Sequence, residues 1–157
     1  MTAFVVDGRS IAPARRKIAE MRRRATNLVP AWDAAVDWLA NANRVQFGTR
    51  GARWRTPWRE LTAGTLADKR RAGYTTDTLI RTSDLLRSLT DRPLSVERLA
   101  PREMTAGTAV RYARFHQEGT RRMPARPLLS ASAVSREGAF SQAVASWVVR
   151  GRAEVRG

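Results

Sequence analysis

The stretch Leu94-Ser-Val-Glu-Arg-Leu-Ala-Pro-Arg-Glu-Met-Thr-Ala-Gly-Thr-Ala-Val110 decides the fold class, because it predicts a pair of strands. Leu94–Leu99 and Glu103–Val110 are two short runs of mixed apolar and polar residues, of the length and composition of strands. Pro101 and its neighbours separate the two runs and favour a turn. We therefore expect a β-hairpin here. Because helical patterns lie on both sides of it, the predicted class is α+β, with a small antiparallel sheet flanked by helices.

Two amphipathic helices are predicted before the hairpin. Between Ile11 and Leu28, apolar residues recur at intervals of three and four, which predicts a long helix with one apolar face. Ser10 is the expected N-cap, and Pro13 is tolerated in the first turn. Pro30 predicts a break, after which a second helix follows. The apolar face of that second helix contains Trp32, Ala35, Val36, Leu39 and Phe47. We expect a long N-terminal helix or a helical hairpin.

The other elements are predicted from shorter signals. They are a strand at Phe4–Val6, a helix from an N-cap at Thr62 to Ala72 with Gly73 after it, a helical turn leading into a strand over Thr78–Leu89, a helix over 109–118, a strand at Arg126–Ser130, and a C-terminal helix from Ser135 to Gly151. Residues 48–57 have no apolar period and predict a loop. The 157 residues are interpreted as one domain, with residues 152–157 as a tail that frays in isolation.

Composition limits the possible classes of protein. The chain contains no cysteine, which excludes disulfides and thiolate chemistry. No apolar run approaches the length of about 20 residues that a membrane-spanning helix needs. The N-terminal residues lack a basic region ahead of an apolar one, so a signal peptide is not expected. The sequence predicts no membrane partner.

The net charge of +15 is the strongest compositional signal. Lys17 and Lys69 are the only lysines, so nearly all of the charge is arginine, whose planar guanidinium donates paired hydrogen bonds to phosphates and carboxylates. A GC-rich genome would also favour arginine over lysine, but it would not explain the imbalance of charge. Such an imbalance favours a polyanionic or acidic partner. The candidate contacts to DNA or to an acidic protein surface are Arg50, Arg53, Arg55, Arg59, Arg121 and Arg122, with solvated surface as the alternative.

Nothing in the sequence predicts catalysis. His116 is the only histidine, and Glu118, two residues away, would point to a different helix face, so a relay of Ser88, His116 and Glu118 is not favoured. Phosphate loops, paired histidines on a helix and calcium loops are absent from the sequence. We predict no catalytic residues, no metal site and no cofactor, and we interpret His116 as structural.

Four motifs, in this order and with these gaps, resemble the tail-completion or virion-morphogenesis family of tailed bacteriophages. They are Trp58-Arg-Glu-Leu-Thr-Ala-Gly-Thr-Leu-Ala-Asp-Lys69, Leu79-Ile-Arg-Thr-Ser-Asp-Leu-Leu-Arg-Ser-Leu89, Tyr112-Ala-Arg-Phe-His-Gln-Glu-Gly119 and Pro124-Ala-Arg-Pro-Leu-Leu129. The resemblance covers residues 45–130. Its motif positions are Trp58, Leu61, Thr62, Leu66, Tyr112, His116, Gly119, Pro124 and Pro127. Ser83 and Ser130 depart from the family pattern, in which glycine is common at both places.

The resemblance implies a structural virion protein. Members of this family close the tail tube and join it to the head. The implied partners are copies of this chain in a ring, which is expected to be hexameric, the tail-tube protein, and the head-to-tail connector or stopper proteins. DNA that passes through the channel without sequence-specific contacts is a further implied partner. The implied location is the head–tail junction of a virion assembled in the host cytoplasm. Tyr112 and Phe115 are expected to pack inward, with His116 or Gln117 bonded to the backbone. Lys69 and Arg126 become candidates for the subunit interface, although the prolines around Arg126 are more typical of a rigid linker between a helix and a strand.

A packing unit is predicted around Trp58. The spacing of Trp58, Leu61 and Leu66 allows the three side chains to converge where the helix capped by Thr62 begins. Trp54 and Trp58 are interpreted as anchors that hold the arginine-rich loop on the core, with single-strand stacking as the alternative. A small, non-specific nucleic-acid-binding protein is the alternative function.

Overall fold

The computed structural model describes residues 11–155, without the side chains of residues 132 and 133. The strand predicted at Phe4–Val6 and the cap predicted at Ser10 lie outside these residues. In chain order, the elements are α1 (Ala12–Ala25), α2 (Val29–Gly48), a 3₁₀ turn (Ala52–Trp54), α3 (Ala63–Arg71), α4 (Asp84–Thr90), β1 (Val96–Ala100), β2 (Glu103–Gly107), α5 (Ala113–Glu118), α6 (Ala131–Glu137) and α7 (Ala139–Arg150). Helices thus flank a small antiparallel sheet, and the predicted α+β class is confirmed.

The first two helices occur where they are predicted, but α1 does not fold back along α2. Pro13 and Pro30 each stand in the first turn of their helix, where the missing N–H costs no intrahelical hydrogen bond. The break therefore precedes Pro30. Helix α1 packs against α7, and no residue of α1 is buried. Ile18, on the predicted apolar face, is 51% exposed. The predicted apolar face is therefore largely exposed, because the spacing of apolar residues places them on one side of the helix and does not determine what packs against that side.

Helix α2 is the centre of the core. Its buried side chains are Ala31, Ala35, Val36, Leu39, Ala40, Ala42, Asn43, Gln46 and Phe47. The alanines of its first turns pack with α7, its middle packs with the hairpin, and Phe47 packs with Leu85 and Leu89 of α4. Trp32, predicted on the same apolar face, is only half-buried. Ala42 packs with Trp54 of the 3₁₀ turn, so this one helix contacts four groups of neighbours.

The predicted β-hairpin is confirmed. Strands β1 and β2 pair antiparallel, from Val96 opposite Gly107 to Ala100 opposite Glu103. Because an isolated two-stranded hairpin is marginal in water, it needs a second surface. That surface is α2, against which Leu99 and Met104 pack. The guanidinium of Arg92 adds a polar connection, as it pairs with Asp33 and Asp37 of α2 and with Glu97 of β1.

Residues 78–90 differ from the predicted turn and strand. Ser83 has a left-handed backbone, with φ of +67°, and α4 begins directly after it. Leu85 and Leu89 are both buried, and their spacing of four residues is helical. The apolar run is too short for its period to distinguish helix from strand, so the packing of α4 on α2 decides the outcome.

Three predictions in the last part of the chain need correction. Arg126–Ser130 is irregular and not a strand. The helix predicted from Ser135 is two helices, because Gly138 takes a left-handed backbone, with φ of +64°, between α6 and α7. Val155, in the predicted tail, packs against the cluster that contains Ala143. Among residues 11–155, no helix combines the length and the apolar content that crossing a bilayer requires.

Candidate functional site

The four family-like motifs are separated along the chain but meet around one cavity of about 830 Å³. Each contributes to the wall: Leu61, Thr62, Thr65 and Lys69 from the first motif, Leu79 to Leu85 from the second, Tyr112 and His116 from the third, and Pro124 and Arg126 from the fourth. Trp58, Leu66, Gly119 and Pro127 are not part of this wall. The convergence makes this cavity, which we call the motif cavity, the candidate functional site.

Helix α3 forms one wall of the motif cavity and begins as predicted. Thr62 has an extended backbone, and its Oγ1 accepts a hydrogen bond from the backbone N–H of Thr65 at 3.3 Å. This N-cap satisfies one of the free N–H groups of the first turn. Leu61 lines the cavity, and neither Leu61 nor Leu66 belongs to the cluster around Trp58, contrary to the predicted convergence.

Lys69 holds the second motif against α3. Its Nζ donates to the backbone carbonyls of Asp77 and Ile80, each at 2.5 Å. Burial lowers the pKa of the Lys69 ammonium, and the Asp77 carboxylate opposes part of that effect. This ammonium is engaged inside its own chain, and a contact of Lys69 with a neighbouring subunit stays a prediction.

Arg126 places a buried positive charge in the cavity wall. The residue is 6% exposed. Its Nε donates to the carbonyl of Arg59 at 3.0 Å, and its Nη2 donates to the carbonyl of Glu60 at 3.2 Å. Burial lowers the pKa of the Arg126 guanidinium, and the charge of Arg59 lowers it further. Within the described part of the chain, these main-chain oxygens are its only hydrogen-bond acceptors, so the predicted interface residue lies inside the subunit as an unneutralised cation.

The segment that contains Arg126 is held by side-chain amides. Pro124 and Pro127 have no N–H to donate, which disfavours the predicted strand. The backbone N–H groups of Leu128 and Leu129 donate instead to Oε1 of Gln117, at 2.8 and 3.1 Å. Gln46 of α2 donates to the carbonyl of Pro127 at 3.0 Å. The residue that bonds the backbone is thus Gln117, one of the two predicted, whereas Gln46 was not singled out because its partner lies 81 residues away.

His116 is half-buried in the wall. Its ring meets Tyr112 edge-on, with centroids 5.8 Å apart, and its Nδ1 has no hydrogen-bond partner among the described residues. Burial lowers the pKa of His116, and the positive charge of Arg126 lowers it further. Tyr112 and Phe115 are exposed, so their predicted inward packing is wrong. Gly119 ends α5 as predicted.

The motif cavity is electropositive. Four cationic side chains line it, Lys69, Arg81, Arg122 and Arg126, against two carboxylates, Asp68 and Asp84. Both carboxylates already pair with arginines outside the wall: Asp68 with Arg71 at 3.0 Å, and Asp84 with Arg87 at 3.2 Å. The pKa of Asp84 is lowered by the Thr82 hydroxyl and then by its arginine. The wall therefore keeps an excess of positive charge.

The predicted arginine cluster is divided between different environments. Arg53 forms a paired salt bridge with Glu137 and lies over the Trp54 ring, 4.8 Å from its centroid. Nη2 of Arg50 lies 3.7 Å from Oδ1 of Asp77. The cluster's exposed members without an ionic partner among the described residues are Arg55, Arg59, Arg121 and Arg122, and only the last lines the motif cavity. Trp54 and Trp58 are buried, which supports their interpretation as anchors.

Within residues 11–155, no group of three or more histidine, aspartate and glutamate side chains is arranged to hold a metal ion. Comparison with protein-family models, with curated proteins and with solved structures finds no match. A functional assignment therefore rests on the motif residues and on the geometry of the motif cavity.

Proposed function

We propose that this protein is a structural subunit of a tailed-phage virion, a tail terminator or tail-completion protein that forms a ring at the head–tail junction. The ring caps the tail tube and offers a surface to the head connector, and DNA passes through its channel. Assembly proceeds by complementary surfaces and involves no catalytic turnover. The proposal includes assembly in the host cytoplasm.

One observation carries the proposal: the four motifs that resemble the family lie around a single cavity. Lys69 and Arg126 belong to motifs at opposite ends of the resemblance, yet both line this cavity. A chance resemblance gives no reason for residues so far apart in sequence to share a wall. Motifs that form one site in space support a common role.

Exposed apolar surface supports assembly with other subunits. Two large apolar side chains are exposed near the start of the described chain, Ile11 at the N-cap of α1 and Ile18 within α1. Trp32 of α2 and Phe140, Val144, Val148 and Val149 of α7 line a shallow apolar cavity of about 460 Å³. Contiguous exposed apolar surface is typical of protein–protein interfaces. Both surfaces are available to neighbours in a ring.

The test is a nonsense mutation in the phage or prophage that carries the gene. We expect electron micrographs with filled heads and separate tails, and joined particles when wild-type protein is supplied in trans. Cryo-electron microscopy of wild-type virions should place the chain's density at the neck. Normal joined, infectious particles without the protein would overturn the proposal.

A non-specific nucleic-acid-binding protein is the second candidate, favoured by exposed cationic side chains. Helix α1 exposes Arg15, Arg16, Lys17, Arg22 and Arg23, with no ionic partner among the described residues. If they bind phosphates, affinity for random duplex DNA should fall steeply with salt, and each lost phosphate contact should flatten the slope by about 0.9.

Two sets of substitutions compare α1 with the loop. One replaces Arg15, Arg22 and Arg23 by Ser, and the other replaces Arg50, Arg55 and Arg59, leaving the Arg53–Glu137 pair intact. A flatter slope for either set places DNA at that surface. Unchanged slopes for both sets would rule these surfaces out as phosphate contacts.

A further inference from the structure

We infer that the motif cavity binds an acidic peptide segment of a partner protein, whose carboxylates are held by Arg126 in the wall and by Arg81 and Arg122. The inference rests on the proposed function, since it names the chemistry by which the subunit would recognise another virion protein. It does not depend on which neck layer the subunit occupies.

Arg126 is a buried cation without a carboxylate partner among the described residues. A guanidinium has five N–H donors, and the described hydrogen bonds of Arg126 use its Nε–H and one N–H of Nη2. Both acceptors are neutral carbonyls, so they satisfy donors without cancelling charge. Burying a cation is costly unless an anion accompanies it. A carboxylate that enters the cavity would supply the missing anion and accept the remaining donors.

The wall cannot supply that anion itself. Asp68 pairs with Arg71, and Asp84 is bound by Arg87 and by the Thr82 hydroxyl. Arg81 and Arg122 are exposed and have no ionic partner in the described chain. The cavity therefore keeps three cations for an anionic ligand, in addition to Lys69, whose ammonium is bound to carbonyls.

The rest of the wall favours a peptide over a nucleic acid. Leu61, Leu79, Ile80 and Met123 provide apolar surface beside the cations. Acidic residues alternating with apolar ones would match both kinds of surface. Bases need open aromatic faces for stacking. Of the two tyrosines in the wall, Tyr74 is covered by Arg81, whose guanidinium lies 4.8 Å from the ring centroid, so Tyr112 alone offers an exposed ring where successive bases would need several. A volume of about 830 Å³ suits a few side chains and is too small for a duplex.

Binding is tested with the full-length protein and a short fluorescein-labelled peptide in which Glu alternates with Leu, followed by anisotropy at physiological salt. The matched control peptide has Gln in place of Glu. We expect the Glu peptide to bind about tenfold more tightly or better, a difference that charge-assisted hydrogen bonds can supply. Equal affinity for the two peptides would overturn the inference.

Two double variants separate the cavity from general attraction to a basic protein. Arg81→Ser with Arg122→Ser should weaken the Glu peptide by about tenfold. Arg102→Ser with Arg111→Ser removes the same charge from exposed positions outside the cavity wall and should leave affinity nearly unchanged. Equal losses in the two variants would overturn the inference, because the attraction would then be non-specific.

His116 gives a local signal, since it is the only histidine and lines the cavity beside Arg126. Its ring resonances should shift with the Glu peptide and stay in place with the Gln peptide. If a single-stranded oligonucleotide displaces the peptide and produces the same shift of the His116 resonances, the ligand is a nucleic acid and the peptide assignment is overturned.

Failure of this inference and failure of the proposed function give different results. Phage that join heads and tails without the protein would remove the proposed function, even if the Glu peptide binds. Conversely, a strict need for the protein in joining, together with no preference for the Glu peptide, would overturn only the cavity's ligand.

Discussion

Trp58 and Arg126 each bond to the backbone beside the other. The indole Nε1 of Trp58 donates to the carbonyl of Pro127 at 2.9 Å, and Nε of Arg126 donates to the carbonyl of Arg59 at 3.0 Å. Two segments about 67 residues apart are thus cross-connected by a pair of side chains. The indole faces the core, where Phe47 meets it edge-on at 5.3 Å, while the guanidinium lines the motif cavity. The pair connects the core to the candidate site.

Replacing Trp58 by Ala should reduce the free energy of unfolding by about 3–5 kcal/mol, because the ring is 6% exposed and its removal leaves a cavity. Urea denaturation followed by circular dichroism measures the change. Trp58→Phe keeps much of the ring packing but removes the indole N–H donor. That loss alone should reduce the free energy of unfolding by about 1 kcal/mol. Trp54→Phe is the control, since the Nε1 of Trp54 has no hydrogen-bond partner in the described chain. Near-normal stability of the Ala variant would contradict the anchor role.

Lys69→Met should reduce the free energy of unfolding by about 1–2 kcal/mol, since it removes a charged donor to two carbonyls. Hydrogen exchange should also become faster at the amides of residues 77–80. Lys17→Met is the matched control, as Lys17 is the other lysine and is exposed on α1. If both variants behave alike, the connection between α3 and this loop contributes nothing.

Ser83→Gly should stabilise the fold by up to about 1 kcal/mol. Ser83 has φ of +67°, a conformation that is unfavourable for residues with a Cβ, and its side chain makes no cap hydrogen bond. Gly73→Ala is the reverse control: Gly73 has φ of +71° with open space around it, so the added Cβ should destabilise through backbone strain alone. Thermal melts measure both changes. A lower melting temperature for Ser83→Gly would contradict the strain argument.

His116 should titrate below its usual pKa of 6.5 in the folded protein, because burial and the charge of Arg126 oppose protonation. Well above pH 6.5 the ring is neutral in both the folded and the unfolded state, so protonation of His116 does not affect stability there. Below that pH, protons bind the unfolded state first, so stability is lost as the pH falls towards the folded pKa.

NMR titration of this single histidine gives its pKa directly. As the pH is lowered below 6.5, the free energy of unfolding should fall more steeply for the wild type than for His116→Gln. The other titrating groups are common to both proteins and cancel in this difference. A folded pKa at or above 6.5 would contradict the proposed burial of the ring.

Local chemistry in the sequence determined several features of this protein. Thr62 caps α3 because its hydroxyl reaches an N–H only three residues away, and the two strands within Leu94–Val110 pair through a short turn. Pro13 fits the first turn of α1, whatever packs on that helix. The class α+β follows from such short-range signals. The four motifs are each a continuous stretch of sequence and are recognised without the structure. Each of these features is predicted from residues close together in the chain, and the hairpin in addition needs α2 as its packing surface.

Only the tertiary structure decided the burial and the site. The spacing of apolar residues in α1 predicted one apolar face, but α7, which packs on α1, buries none of its residues, and Ile18 remains exposed. Leu85 and Leu89 became helical because α2 offers them a surface. The motif cavity, the unneutralised charge of Arg126 and the amide of Gln46 at Pro127 all join residues distant in sequence. Sequence periodicity gives the direction of a side chain relative to its own element, whereas its neighbours, its burial and its charge partners depend on how the elements pack.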